Sequence, residues 1–134
     1  MKKTIILFVS LIGLLLADDL IWQKNLQSAL ATAQKEHRVV MVMVEGEHCR
    51  WCKKMRYRTL SDEAVVDALK PYVTVRVDET DRNAMGELPR VEGVPTIFFI
   101  SPDKKVIETV TGYYDVDDFL SFVKEVKRKT WQLK

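Results

Sequence analysis

The residues best suited to chemistry are the chain's only two cysteines, three apart in Cys49-Arg50-Trp51-Cys52. They follow an apolar run, Val39 to Val44, and open a segment of helical character that reaches about Tyr57. A thiol in the first turn of a helix faces unpaired backbone N–H groups and the positive end of the helix dipole, and both favour the thiolate. Such a thiolate attacks a disulfide in another molecule to form a mixed disulfide. A second thiol one helical turn on lies within S–S bonding range and expels the partner. Cys49 is then the nucleophile and Cys52 the resolving thiol. The redox-active pair Cys49–Cys52 takes the place of a bound cofactor.

The neighbours tune that chemistry. His48 precedes the first cysteine, Arg50 and Trp51 lie between the two, and Lys53, Lys54, Arg56 and Arg58 follow with no acid among them. Positive charge favours the thiolate, so the Cys49 thiol is expected below the free value of about 8.5; Glu45 and Glu47 act the other way. A solvated helix face accounts for Lys54 and Arg58 without any functional role.

Other uses of two cysteines fit less well. A structural disulfide closing so short a loop contributes little and needs no helix N-terminus. Zinc or copper requires further ligands, and only His48 and His37 remain, so no metal is expected. Haem attachment needs a His after the second Cys, where Lys53 stands. Met41, Met43, Met55 and Met85 suit a packed core better than a copper site.

These groups must be held by a framework, and 134 residues with 47% hydrophobic content suffice for one domain. Asp18-Asp19 are placed to start a helix whose apolar positions are Leu20, Trp22, Leu26, Ala29, Leu30 and Ala33. Val39 to Val44 is a strand covered on both faces. Ser61-Asp62-Glu63 caps a helix that ends before Pro71, and the β-branched alternation of residues 72–77 is a second strand. A short helix within residues 80–88 follows. Strands at residues 95–100 and 106–110 flank the turn Ser101-Pro102-Asp103, and Asp115 caps a last amphipathic helix. The order αβαβαββα predicts one α/β domain, a parallel arrangement with an antiparallel hairpin at its edge. Trp22 and Trp131, near the two ends, are expected to pack on the core.

Residues 1–17 have a different character. Lys2 and Lys3 precede an apolar stretch from Ile5 to Leu16, and Ala17 offers a small residue before Asp18. This is the anatomy of a cleaved signal peptide, shorter than the roughly 20 residues that span a bilayer. The expected organisation is therefore a signal peptide at 1–17 and a single domain at 18–134. Export places the cysteines where disulfides persist, in the periplasm or outside the cell; an uncleaved leader would tether the domain to a membrane. Twenty-one Lys and Arg against nineteen Asp and Glu, two of those Lys in the leader, leave a neutral domain without a nucleic-acid-binding footprint.

The strand ending at a Cys-x-x-Cys helix, Gly93-Val94-Pro95-Thr96 downstream, and a final hairpin with Gly112 before a capped helix together resemble the thioredoxin family over about residues 35–127. The resemblance implies a thioredoxin-like fold: a three-layer α/β/α sandwich around a mixed central sheet, here with an added N-terminal helix. It implies a cis Val94–Pro95 bond with Pro95 beside the disulfide. It also implies a substrate-binding edge at Val94, Pro95 and Thr96, where backbone groups of Val94 take up substrate as an added strand. The stretch Cys-x-x-Cys-Lys-Lys-Met, with Thr59-Leu60-Ser61-Asp62 and Val65, is similar to exported thioredoxin-like domains that pass on reducing equivalents. Among these is the C-terminal domain of the transmembrane thiol-reductant transporter of the disulfide interchange system.

Two departures stand out. Cytosolic thioredoxins carry Gly-Pro between the cysteines and Trp before them, in place of Arg50-Trp51 and His48. They also place a buried Asp at the position of Met43, where it accepts a proton from the resolving thiol; here Glu45, at the strand end, or water is left for that role. The expected activity is periplasmic thiol:disulfide exchange, mainly as a reductase of disulfides in exported proteins. A membrane thiol-reductant transporter is the expected electron donor, and the protein is expected to be a monomer. The same chemistry run forward, as oxidase or isomerase, is the main alternative. A non-catalytic binding module and a metal-delivery protein belong to other classes.

Overall fold

The computed structural model describes residues 19–133. The leader expected at 1–17 lies outside them. The architecture follows from the strand β2, Val40–Glu45, in which Val40, Val42 and Val44 face one way and Met41 and Met43 the other, all buried. A strand apolar on both faces needs cover on both, and β2 occupies the centre of a five-stranded sheet. Around it lie β1 (Trp22–Gln23), β3 (Val73–Asp78), β4 (Thr96–Ile100) and β5 (Val106–Thr111), in the spatial order β1-β3-β2-β4-β5. The strands β1, β3 and β2 run parallel; β4 is antiparallel to β2, and β5 to β4.

One face is covered by α1 (Leu26–Glu36), whose Leu26, Ala29 and Ala33 pack with the valines of β2 and β3 and with Phe98 and Ile100. The other carries α2 (Arg50–Lys54), α3 (Glu63–Leu69) and α5 (Val116–Gln132), with Met43, Cys52, Met55, Leu69, Ile97, Phe99 and Phe119 in its core. A short helix, α4 (Arg82–Met85), links β3 to the segment before β4. The result is the expected thioredoxin-like α/β/α sandwich around a mixed sheet. Both Val65 and Val66 of α3 are buried, and Asp62 and Asp115 cap α3 and α5 through Ala64 N–H and Asp118 N–H.

Two expectations need correction. The first helix does not start at Asp18-Asp19: Asn25 accepts the Ser28 N–H at 2.8 Å and starts α1 at Leu26. Before it, Trp22–Gln23 forms an edge strand against Thr74 and Val75, and Thr74 donates its hydroxyl to the Ile21 carbonyl at 2.7 Å. An apolar spacing of three to four is shared by a helix and by a strand followed by a capped helix. The free edge of β3, with its unpaired peptide groups, decides for the strand. Trp131 is 78% exposed rather than packed on the core. The inward stripe of α5 runs through Phe119, Val123 and Val126, and a residue five beyond Val126 falls off it. Trp22 does pack at the core margin.

Candidate active site

Sheet register gathers the chemistry at one end of the sheet. Glu45, the last residue of β2, is level with Asp78 at the end of β3. The antiparallel pairing of β2 with β4 sets Val44 opposite Thr96, so the chain entering β4 passes beside the chain leaving β2. Thr96 also pairs with Thr111 at the end of β5, and Gly112 donates its N–H to the Pro95 carbonyl at 2.8 Å. Residues 46–49, 93–95 and 112–114 therefore share one rim, as ligand loops do at the carboxyl ends of strands in open α/β sheets.

At this rim Cys49 is the N-cap of α2, with extended backbone, and its Sγ accepts the Cys52 N–H at 3.2 Å. The two cysteines are bonded to each other, with Cα atoms 5.2 Å apart. They differ sharply in burial: Cys49 is partly exposed, whereas Cys52 is 2% exposed within the core. No acidic residue occupies the first turn of α2. The helix runs on into a π-helical turn, Met55–Thr59, closed by Leu60 N–H to the Met55 carbonyl at 2.9 Å. Thr59, fully buried, donates its hydroxyl to the Tyr114 carbonyl at 2.6 Å and ties this turn to the start of α5.

Opposite lies the bend before β4. The Val94–Pro95 peptide bond is cis, Pro95 and Thr96 are buried, and Val94 is partly exposed. A side chain at Gly46 would place its Cβ 3.3 Å from Val94 Cγ2 and 2.8 Å from Glu79 Oε1, so the two loops approach closely only because residue 46 is glycine. Among the described residues, no hydrogen bond takes up the peptide N–H or C=O of Val94. The Thr96 hydroxyl donates to the Gly93 carbonyl at 2.6 Å. It thus turns back into the loop and braces it, while the exposed edge is that of Val94.

The charged neighbours separate into distinct sets. His48 adopts a left-handed backbone (φ 57°), with its ring in solvent 3.5 Å from Glu47. Arg50 is exposed, its guanidinium 6.0 Å from the Trp51 ring centroid. Glu45 Oε2 lies 3.0 Å from Arg56 Nε and Oε1 3.6 Å from Arg76 Nη1, so both carboxylate oxygens face guanidinium groups. Nearby, Thr80 holds the Asp78 carboxyl below its ordinary value through its hydroxyl and, secondarily, its N–H.

The basic run is not a uniformly solvated face. Arg58 is exposed, but Arg56 is partly buried against Glu45. Lys54 is partly buried too, its Nζ 4.8 Å from the Trp51 ring centroid and 4.6 Å from that of Tyr113. The two rings are themselves 5.7 Å apart. Tyr113, Arg76 and Glu79 were not among the residues singled out from the sequence. Each is brought here by strand ends distant in sequence; the i, i+3 spacing of Trp51 and Lys54 was the one local sign of this cluster. Met41, Met43 and Met55 are fully buried core residues.

Comparison with known proteins gives these features a setting. The family model described as a thioredoxin-like domain matches residues 26–127. Thiol:disulfide interchange protein DsbD of Pseudoalteromonas atlantica is 33% identical over 112 residues, 77% of this chain. The chain spans about a fifth of the length of that relative, 19% of it. Among solved structures, a thioredoxin from Thermus thermophilus superposes with a TM-score of 0.70 at 28% identity, covering 81% of this chain and 88% of that one. The DsbD C-terminal domain of Neisseria meningitidis, at 24% identity and a TM-score of 0.62 over 75% of this chain and 91% of its own, shares the fold.

Proposed function

This chain belongs to the thioredoxin-like family of thiol:disulfide oxidoreductases, and from that premise we propose that it is an exported reductase acting through Cys49 and Cys52. The observation that carries this reading is the asymmetry of the bonded pair. Cys49 is reachable at the helix tip, its sulfur already accepting a backbone N–H, whereas Cys52 is shut in the core behind it. In the reduced protein the Cys49 thiolate attacks one sulfur of a substrate cystine. That S–S bond breaks, the departing sulfur leaves as a thiolate and takes a proton, and a mixed disulfide remains. Cys52, giving up its proton, attacks Cys49 Sγ and releases the second substrate thiol. The substrate gains two electrons and two protons, and the Cys49–Cys52 disulfide is restored. The open peptide edge of Val94, beside Gly46 on the same rim, is suited to hold the substrate chain extended during both steps.

Continued turnover requires a dithiol donor to reduce Cys49–Cys52 again. Kinship with DsbD supports a membrane thiol-reductant transporter in that part, and the leader-like residues 1–17 support action in the periplasm. One observation favours the reverse direction. The first turn of α2 begins with Arg50 and lacks any acid, Lys53 and Lys54 follow in its last turn, and thiolate stabilisation makes a disulfide more oxidising.

Reduction of a protein disulfide by the wild-type chain, lost in Cys49→Ser and Cys52→Ser, is the expected result. Undiminished reduction by both variants would reject the site. The direction is read from the potential, followed through the Trp51 fluorescence in glutathione buffers. A value near −270 mV supports the reductase, and one near −120 mV the oxidase. Cys52→Ser should accumulate stable mixed disulfides whose captured proteins identify the substrates.

A further inference from the structure

We propose that Lys54, held between Trp51 and Tyr113, is a specificity determinant that selects substrate cystines with a carboxylate side chain close by in their own chain. This rests on the reading of Cys49–Cys52 as the exchange site. Trp51 lies between the two cysteines in the chain, on the helix that carries the reacting disulfide, and is 50% exposed. Three positions on, Lys54 lies on the same side of the helix, and the end of β5 delivers Tyr113 beside both. The Lys54 ammonium lies within 5 Å of both ring centroids, at the 4.8 and 4.6 Å given above.

Aromatic faces favour a cation but do not neutralise it, and an ammonium carries three donors. Among the described residues Lys54 has no ion-pair partner, unlike Arg56 with Glu45 or Lys129 with Glu108. Two rings restrict its rotamers, so less side-chain entropy is lost when an anion binds than for a free surface lysine. The Arg50 guanidinium, 6.0 Å from the Trp51 ring centroid, adds charge of the same sign. The shelf beside the disulfide is thus aromatic and cationic, and its complement is a peptide with Asp or Glu a few residues from its cystine.

The test uses the prereduced protein and a set of disulfide-linked peptides identical except for Glu, Gln or Lys two residues after the reacting Cys. The second-order rate constant for each is read by stopped-flow Trp51 fluorescence. We expect about threefold preference for Glu over Gln and about tenfold for Glu over Lys, the order of a partly exposed ion pair, and lower values at high salt. In Lys54→Met both ratios should fall by more than half towards one, Arg50 retaining the remainder. Ratios within one variant cancel any change in thiolate reactivity that loss of the charge brings. Tyr113→Leu, which frees the ammonium, should give intermediate ratios, and Lys124→Met, on exposed α5 surface, should keep those of the wild type. Equal rates in the wild type, undiminished preference in Lys54→Met, or lost preference in Lys124→Met would overturn the proposal. A wild-type protein that reacts with none of the peptides would overturn the exchange reading itself.

Discussion

Replacing Glu45 by Ala should destabilise the protein by about 2 kcal/mol, well beyond what a surface ion pair contributes. The Glu45 carboxylate joins Arg56, in the π-helical turn after the Cys helix, to Arg76 of β3, at 3.0 and 3.6 Å. The Glu45 and Arg56 side chains are 19% and 21% exposed, and Arg76 is 38% exposed. The facing atoms, Glu45 Oε2 and Arg56 Nε, are closed off from solvent yet not aligned as a hydrogen bond, so their 3.0 Å contact is an ion pair only. Exposed pairs contribute roughly 0.2–1 kcal/mol, and removing one partner of a fully buried pair costs about 3–5 kcal/mol; this cluster lies between those limits. Urea unfolding measures the loss, and with a slope of about 1–3 kcal/mol/M the midpoint should fall by roughly 1 M at unchanged slope. Most of the loss comes from leaving Arg56 without its counter-charge. Glu45→Ala/Arg56→Met should therefore be more stable than Glu45→Ala by about 1 kcal/mol. A single-variant loss below about 0.5 kcal/mol, or a double variant no more stable than the single one, would refute the reasoning.

Thr96→Val removes the brace on the Gly93 carbonyl with little change of shape; stability should fall by about 1–2 kcal/mol in urea, and KM for a peptide disulfide should rise as the Val94 edge loosens. Gly46→Ala places a methyl group against Val94 and Glu79. Disulfide reduction should slow severalfold while Glu79→Ala, added to it, recovers only the part due to the flexible carboxylate. The Asp103 carboxyl is held below its ordinary range chiefly by the Ser101 hydroxyl. Its folded value lies below the unfolded value of about 3.9, so its contribution is present above that pH and is lost as pH falls through the folded value. Thermal melts of wild type and Asp103→Asn should therefore converge below about pH 4, and a gap independent of pH would exclude this linkage.

Much of the fold is legible locally because the relevant signals are short-range. Val40 to Val44 cannot be solvated on either face, and the caps at Asp62 and Asp115 act within three residues. Trp22 was not legible in this way, since its choice between helix and strand depends on an open edge of β3 some fifty residues on. Lys54 likewise reads as a solvated helix residue until Tyr113 arrives.

The Cys-x-x-Cys pair and the class of the fold were determined by the sequence alone, because each rests on composition or on spacing within a few turns of chain. The tertiary structure decided which sulfur is reachable, that Val94 presents its peptide edge beside Gly46, that Glu45 answers Arg56 and Arg76, and that Lys54 stands between two rings. Those outcomes depend on the register Val44–Thr96–Thr111, which brings distant strand ends to one rim. Strand register is a property of side chains packed across the sheet, and no local stretch of chain contains it.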